Sequence, residues 1–389
     1  MNILEEIQNC PVEWKELGEV CSVKKGKQLN KNLLTEDGLY PAYNGGQTYS
    51  GRTNDYNVEA NTITVSQGGA SAGFVNFVDT KFWANAHCYY ILPDETRVNN
   101  RFVYHFVKMN QKYLMDFQHG AGIPALKADK LSKLLLPIPP LEIQEKIVQI
   151  LDKFTDYVTE LTSELTSRKK QYSFYRDTLL SFEDEGYQVE WKTLEEVAKD
   201  FGRGKSKHRP RNDARLYGGD IPFIQTGDIR EAGKWIENYS QTYSAFGLQQ
   251  SKQWEKGTLC ITIAANIAET GLLGFDACFP DSVIGFVANP KFAITEYVYY
   301  YLNSIKDYLA NKSYGSAQDN LNLSTFSSLK IPVPSLEIQS RIVQVLDNFD
   351  TVCHDLNIGL PKEIELRQKQ YEYWRNMMFN FDKKGESIL

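Results

Sequence analysis

No run of about 18 apolar residues breaks this sequence, which excludes an ordinary hydrophobic transmembrane helix. The start, Met1-Asn2-Ile3-Leu4-Glu5-Glu6, lacks the basic and then apolar pattern of a secretory signal, so the expected compartment is the cytoplasm. Cysteine is scarce. Cys10, Cys21, Cys88, Cys260, Cys278 and Cys353 stand singly without Cys-x-x-Cys spacing, which argues against a structural zinc or a disulfide framework and predicts free thiols. Histidine is scarcer still. His87, His105, His119, His208 and His354 show no metal-ligand spacing on a helix and are assigned to core and surface roles, so neither a metal nor a cofactor is expected.

Catalytic signatures are missing as well. An adenine-methylating enzyme needs a glycine-rich cofactor loop and an Asn/Asp-Pro-Pro-Tyr/Phe motif, and Asn289-Pro290-Lys291-Phe292 lacks the second proline. Gly202-Arg203-Gly204-Lys205-Ser206 resembles a phosphate-binding loop only superficially, because the position that requires the first glycine is Lys199. Asp79-Thr80-Lys81 and Asp94-Glu95 are fragments of a nuclease signature and read as surface turns. No catalytic residue is assigned, and no enzyme is expected.

Positive charge is in deficit overall, with a formal net charge of -6. Its distribution matters more than the sum. Lys24, Lys25, Lys27 and Lys31 cluster early, and Arg203, Lys205, Lys207, His208, Arg209, Arg211 and Arg215 cluster in the middle with only Asp213 between them. Two basic strips in an acidic protein are candidates for phosphate contact.

What the sequence has in abundance is itself, written twice. Val12-Glu13-Trp14-Lys15 returns as Val189-Glu190-Trp191-Lys192. Pro137-Ile138-Pro139-Pro140-Leu141-Glu142-Ile143-Gln144 returns as Pro332-Val333-Pro334-Ser335-Leu336-Glu337-Ile338-Gln339, and Lys170-Gln171-Tyr172 as Lys369-Gln370-Tyr371. The period is far longer than a solenoid repeat, so a domain pair is duplicated. Each half reads as a strand-rich globular region followed by a long helix. Thr62–Val65, Phe74–Val78, Leu259–Ile263 and Val283–Val287 are short β-branched and aromatic runs bounded by turn residues. Helices are expected over Val103–Phe117 and Glu296–Ala310.

After Pro140 the apolar residues Ile143, Ile147, Ile150, Phe154, Val158, Leu161, Leu165, Tyr172, Tyr175 and Leu179 fall mostly three and four apart, the spacing of a coiled-coil seam. Ile338, Ile342, Val345, Phe349, Val352 and Leu356 repeat that seam until Gly359-Leu360-Pro361, where a break or kink is expected. The expected fold is α+β, with two strand-rich globular domains joined by two long antiparallel helices in a pseudo-two-fold duplication. The boundaries are 1–140 and 183–335 for the globular domains, with 141–182 and 336–389 for the helices.

These duplicated blocks, with the strongly divergent regions between them, resemble the specificity subunits of type I restriction-modification systems. Gln225-Thr226-Gly227-Asp228-Ile229 resembles a recurrent motif in one class of that family's recognition domains. The resemblance covers nearly the whole chain. It implies a non-catalytic subunit in which each variable region reads one half of a bipartite site in double-stranded DNA. The helices would carry two methyltransferase subunits, to which restriction subunits can add, in a complex with adenine-methylating and ATP-dependent endonuclease activity. A coiled-coil adaptor whose globular domains bind protein instead of DNA is the alternative.

Base readout uses arginine or lysine for guanine and asparagine or glutamine for adenine. The candidates in the first domain are Lys25, Lys27, Asn44, Gln47, Tyr49, Arg52 and Gln67. In the second they are Arg203, Lys205, Lys207, Arg209, Arg211, Gln225, Thr226, Asp228 and Arg230. Tyr172, Tyr175, Tyr371, Tyr373 and Trp374 are the candidates for partner contact, because aromatics on more than one helical face exceed what one seam uses.

Overall fold

A computed structural model describes residues 3–116, 125–182, 189–264, 267–314 and 322–381. The chain divides into two compact units, Met1–Leu161 with Ile364–Leu389, and Thr162–Glu363. The division falls inside both helical regions, so each unit contains the start of one and the end of the other.

The strands of the first unit are β1 (Glu13–Glu16), β2 (Cys21–Lys25), β3 (Tyr40–Tyr43), β4 (Arg52–Thr53), β5 (Thr62–Ser66), β6 (Val75–Val78), β7 (Trp83–Ala84), β8 (Cys88–Pro93) and β9 (Leu135–Ile138). They form sheets of order β2-β8-β5-β6 and β4-β3-β7, with β1-β9 as a separate pair. The second unit holds β10 (Glu190–Thr193), β11 (Ala198–Arg203), β12 (Tyr217–Phe223), β13 (Trp235–Ile236), β14 (Gln241–Tyr243), β15 (Gln253–Trp254), β16 (Leu259–Thr262), β17 (Thr270–Leu273), β18 (Ala277–Cys278), β19 (Val283–Ala288) and β20 (Lys330–Val333). Its sheets run β11-β19-β16-β17-β13 and β14-β12-β18-β15, with β10-β20 apart. Strand order is therefore the same in both units once β13 and β15 are set aside. Central strands such as β5 and β16 are buried at every residue, which their β-branched and apolar composition allows.

The repeated blocks owe their likeness to one another. β1 pairs antiparallel with β9, placing Trp14 opposite Pro137 and Lys15 opposite Leu136. β10 pairs with β20 in the same register, with Trp191 opposite Pro332 and Lys192 opposite Ile331. Two-stranded ribbons tolerate these prolines because one edge of each strand needs no ladder donor. A fully buried glutamine then fixes the helix that follows. Gln144 Nε2 donates to the carbonyls of Pro139 (2.8 Å) and Arg97 (3.2 Å), and its Oε1 accepts from Asn99 N at 2.7 Å. Gln339 makes the same three bonds, to Pro334 and Phe292 carbonyls and from Ile294 N. A buried amide must satisfy both its ends, so the repeated Leu-Glu-Ile-Gln motif acts as a clamp between helix start and domain.

The first long helix is continuous over Leu141–Ser181. The second is interrupted, Leu336–His354 being followed by Leu360–Met378, where the break was expected. A Cβ at Gly359 would lie 2.4 Å from the Thr351 carbonyl oxygen, and the Asp355 carboxylate accepts from Asn357 N and Ile358 N to form the turn. Of the seam residues near the first helix start, Ile143 and Ile147 are buried in the first unit's core together with Tyr371, Met378, Phe379 and Phe381, but Leu151 is buried there in place of the expected Ile150, which is half-buried. In the second unit Ile342 shares a core with Leu180, against which Tyr172 and Leu179 pack, and Leu346 is buried there where the seam named Val345, which is exposed. Each globular region is thus closed by the beginning of its own helix and the end of the other. Val158, Leu161 and Leu165, between these ends, are only half-buried.

The two shorter helices differ from expectation. Instead of one helix each, the chain forms Asn100–Met109 with Gln111–Asp116, and Thr295–Ser304 with Lys306–Tyr314. Side chains compete for the carbonyls at the breaks: Asn110 Nδ2 takes Phe106 O, and Ser304 Oγ takes Tyr301 O. Phe117 lies outside the described residues, as does His119. All six cysteines are free thiols, and burial pushes Cys21 and Cys88 up to about 12, which leaves them unreactive.

Candidate nucleic-acid interface

In the first unit four loops meet at one end of the sheets. Gly26 N donates to Cys88 O and Lys27 N to Ala84 O, both at 2.9 Å, which folds the Lys25–Lys27 turn onto the β7–β8 loop. A Cβ at Gly26 would sit 2.2 Å from the Asn85 carbonyl oxygen, so only glycine fits. Asn85 N donates to Tyr43 O, and Gln67 N to His87 O. Ser66 Oγ reaches Gly46 O at 2.8 Å, and a Cβ at Gly45 would lie 2.8 Å from Gly68 O. Lys25, Lys27, Asn44, Gln47 and Gln67 are thereby brought together. Lys25, Lys27 and Gln47 are exposed there, whereas Asn44 Oδ1 and Gln67 Oε1 are shielded from solvent without a hydrogen-bond partner. Exposed His87 joins the cluster by its place in the β7–β8 loop, and no motif in the sequence pointed to it.

Tyr49 and Arg52 stand to one side. Tyr49 packs edge-on against Tyr43 with ring centroids 6.3 Å apart, and Arg52 spends its guanidinium on the carbonyls of Gly38 (2.6 Å) and Leu39 (2.9 Å).

The second unit repeats the basic turn. Gly204 N donates to Val283 O at 2.8 Å, and a Cβ there would lie 2.1 Å from the Phe279 carbonyl oxygen. Arg203-Gly204-Lys205 therefore follows β11 as Lys25-Gly26-Lys27 follows β2, each turn pressed against the loop before the pairing strand. Both the glycine and the lysine after it recur in sequence, and a bulge after Ala198 in β11 offsets the second copy from its flanking block.

Beyond this turn the basic strip folds back on itself. Arg203 Nε donates to Asp281 O at 2.7 Å, Arg211 forms an ion pair with the Asp281 carboxylate at 2.9 Å, and Arg209 donates to the carbonyls of Ser206 and His208. Hydrogen bonds from Arg215 and then His208 hold the Asp213 carboxyl far below the usual carboxylate range. Lys205 and Lys207 remain exposed.

Gln225-Thr226-Gly227-Asp228 serves the fold as well as the surface. Asp228 accepts from Gln225 N (2.7 Å), capping the helix Thr226–Glu231, and its other oxygen accepts from Ser240 N (3.1 Å). Gln225 Nε2 donates to Gln241 Oε1 at 3.0 Å, Thr226 is half-buried, and Arg230 is exposed. Of the aromatic candidates on the helices, Tyr371 is buried and Tyr172 and Trp374 are half-buried, while Tyr175 and Tyr373 are exposed.

Comparison with known proteins agrees with this arrangement. A profile of the type I restriction modification DNA specificity domain matches residues 11–168 and again residues 188–366. The Escherichia coli type I restriction enzyme EcoR124I/EcoR124II specificity subunit is 31% identical over 411 aligned positions, covering 98% of this chain and 98% of that protein. A putative type I restriction enzyme specificity subunit of Haemophilus influenzae is 31% identical over 396 positions, covering 96% and 97%. The solved S subunit of a type I restriction-modification system from M. genitalium shares the fold with a TM-score of 0.62 at 22% identity, covering 96% of this chain and 98% of that one.

Proposed function

The chain belongs to the type I restriction-modification DNA specificity family, and from that premise we propose that its two units read the two halves of one bipartite, asymmetric site in double-stranded DNA. The matched basic turns carry this reading. Lys25-Gly26-Lys27 and Arg203-Gly204-Lys205 place positive charge at topologically equivalent points of two domains whose remaining loops differ, as expected if phosphate contact is shared and base contact is not. Lys25, Lys27, Lys205 and Lys207 hold phosphates. Gln47, Gln67 and Asn44 in the first unit, and Gln225, Thr226 and Arg230 in the second, lie on or beside the loops that read bases.

The chain supplies selection and no chemistry. Two methyltransferase subunits dock on its helices and carry adenine methylation, and restriction subunits add to that core. Because the chain is acidic overall, its partners contribute part of the phosphate binding. Footprinting the assembled complex tests the reading: two protected segments separated by an unread gap support it, and a single continuous segment or no protection refutes it.

A further inference from the structure

Among the arginines of the second unit's basic strip, Arg211 is held in its own way. Its Nη2 donates to both oxygens of the Asp281 carboxylate, at 3.0 and 2.9 Å, while Nε and Nη1 make no hydrogen bond among the described residues. Both partners are anchored through their backbones as well. The Tyr217 hydroxyl donates to Arg211 O at 2.6 Å, and Arg203 Nε donates to Asp281 O at 2.7 Å. Arg209 and Arg215 instead donate within their own loop, to the carbonyls of Ser206 and His208 and to the Asp213 carboxylate.

The pair has no counterpart in the first unit. Strand register sets Lys25 opposite Tyr89 and Arg203 opposite Ile284, so Ala86 and Asp281, three residues earlier, correspond. The glycine contacts agree: a Cβ on Gly26 would meet the carbonyl oxygens of Ala84 and Asn85, and one on Gly204 those of Phe279 and Pro280. A carboxylate therefore stands where the first unit has a methyl group. Arg203 has a cationic counterpart in Lys25, as a contact to the phosphates common to both half-sites requires, whereas a charged pair found in one unit alone belongs to what differs between them, the bases.

Electrostatics favours the same assignment. Asp281 repels a phosphate that approaches Arg211 and cancels much of its attraction, but the neutral edge of a base meets no such opposition. Guanine presents O6 and N7 side by side, which matches the arginine fork. The carboxylate and the two backbone anchors orient that fork before DNA arrives, so little side-chain freedom is lost on binding. An ion pair on the surface contributes little to stability by itself, and stability alone does not account for this one.

We infer that Arg211 reads a guanine in the half-site of the second unit, with Asp281 as the positioning residue that orients its fork. The inference rests on the reading of the chain as a DNA-specificity subunit.

Binding of the assembled complex to duplexes changed one base pair at a time, with the site itself identified by methylome sequencing, gives the test. Arg211→Ala lowers discrimination at one G·C pair of one half-site by roughly 5- to 150-fold and leaves the other half-site as it was. Arg211→Lys lowers it as much, because an ammonium group keeps the charge and lacks the fork. Asp281→Ala lowers discrimination at that same pair by a smaller factor, and Asp281→Asn, which keeps an acceptor for Nη2, restores part of the loss. The salt dependence of affinity changes little in the Arg211 variants. If Arg211→Ala flattens the salt dependence by about one and Arg211→Lys restores it, Arg211 holds a phosphate and the inference is overturned, with the specificity reading intact. Undiminished discrimination at every position in Arg211→Ala overturns it in the same way. If the unaltered complex selects no sequence, both fail together.

Discussion

The Nε2 atom of His105 lies 2.7 Å from Oδ1 of Asp152, inside a core where the imidazole has no exposure. Its Nδ1 lies 2.9 Å from the Tyr371 hydroxyl, so a neutral ring protonated on Nε2 donates to the first long helix and accepts from the second. Arg101 brings a guanidinium to Asp152, which is held below the usual carboxylate range: burial pushes it up, and the hydrogen bonds from His105 and Arg101 outweigh that. The second unit solves the same problem without histidine. Tyr300 donates to Asp347 at 2.5 Å, and Lys234 completes the cluster.

The difference gives the first unit's cluster a histidine-linked pH dependence that the Tyr300–Asp347 pair does not share. Burial lowers His105 below its ordinary 6.5, against the opposing pull of Asp152. The unfolded chain therefore takes up the proton first, so the stability His105 supports is complete above about pH 6.5 and declines as pH falls through that value. His105→Tyr, which copies Tyr300, is expected to flatten the dependence of the first unit's unfolding on pH between about 6.5 and 5. Thermal unfolding against pH checks this. An equally steep acid-side loss in the variant contradicts it.

Gln144→Leu keeps the volume of a fully buried side chain and removes its three hydrogen bonds, leaving two carbonyls and Asn99 N unsatisfied. The expected cost is about 2–4 kcal/mol. Gln339→Leu is expected to cost the same in the second unit. Urea unfolding followed by hydrogen exchange assigns each loss to its unit, and unchanged stability in either variant refutes the clamp.

These two clusters show what the sequence makes legible. The duplication, the strand-rich regions, the long helices and the break near Gly359 follow from repeats, β-branched runs, heptad spacing and one proline, all of which are local signals. The partners of the repeated blocks do not. Trp14 and Pro137 recur because they face each other across a ribbon, and Gln144 recurs because it spans a helix start and a distant turn. His105 and Tyr371 are 266 residues apart, and nothing near either one announces the contact. The candidate interface was legible as residue types but not as roles: Arg52 and Asp228 carry structural bonds, and the equivalence of Gly26 and Gly204 is masked in sequence by the bulge that offsets β11.

The lysines of the matched turns are expected to contribute charge and little sequence preference. Lys25→Ala with Lys27→Ala, and separately Lys205→Ala with Lys207→Ala, should weaken binding to all DNA and reduce the salt dependence of affinity by roughly one per lost contact. Arg211→Ala should change it less, since Asp281 already neutralises Arg211. Fluorescence anisotropy across a salt series measures the slopes, and unchanged slopes in both lysine pairs would place the turns away from DNA.

The first long helix is expected to set the distance between the half-sites. Leu161-Thr162-Ser163-Glu164 is followed by Leu165-Thr166-Ser167-Arg168, a tandem four-residue unit in the stretch where helix side chains are least buried. Deleting residues 161 to 164 shortens the helix by about 6 Å, comparable to one or two base pairs at roughly 3.4 Å each. The outcome is a shorter spacer between unchanged half-sites, or an inactive complex if the rotated seam no longer packs. Full methylation at the original spacing contradicts a ruler.

Modular readout is the central claim, and an exchange of the first domain tests it most directly. Residues 15 to 136 are bounded by Lys15 and Leu136, which face each other in the β1–β9 ribbon, so a replacement joined there preserves the pairing on both sides. Methylome sequencing of cells carrying the exchanged chain, compared with the original, reads the result. A methylated site with one new half, the old second half and the old spacing is the predicted outcome. A site altered in both halves contradicts the account.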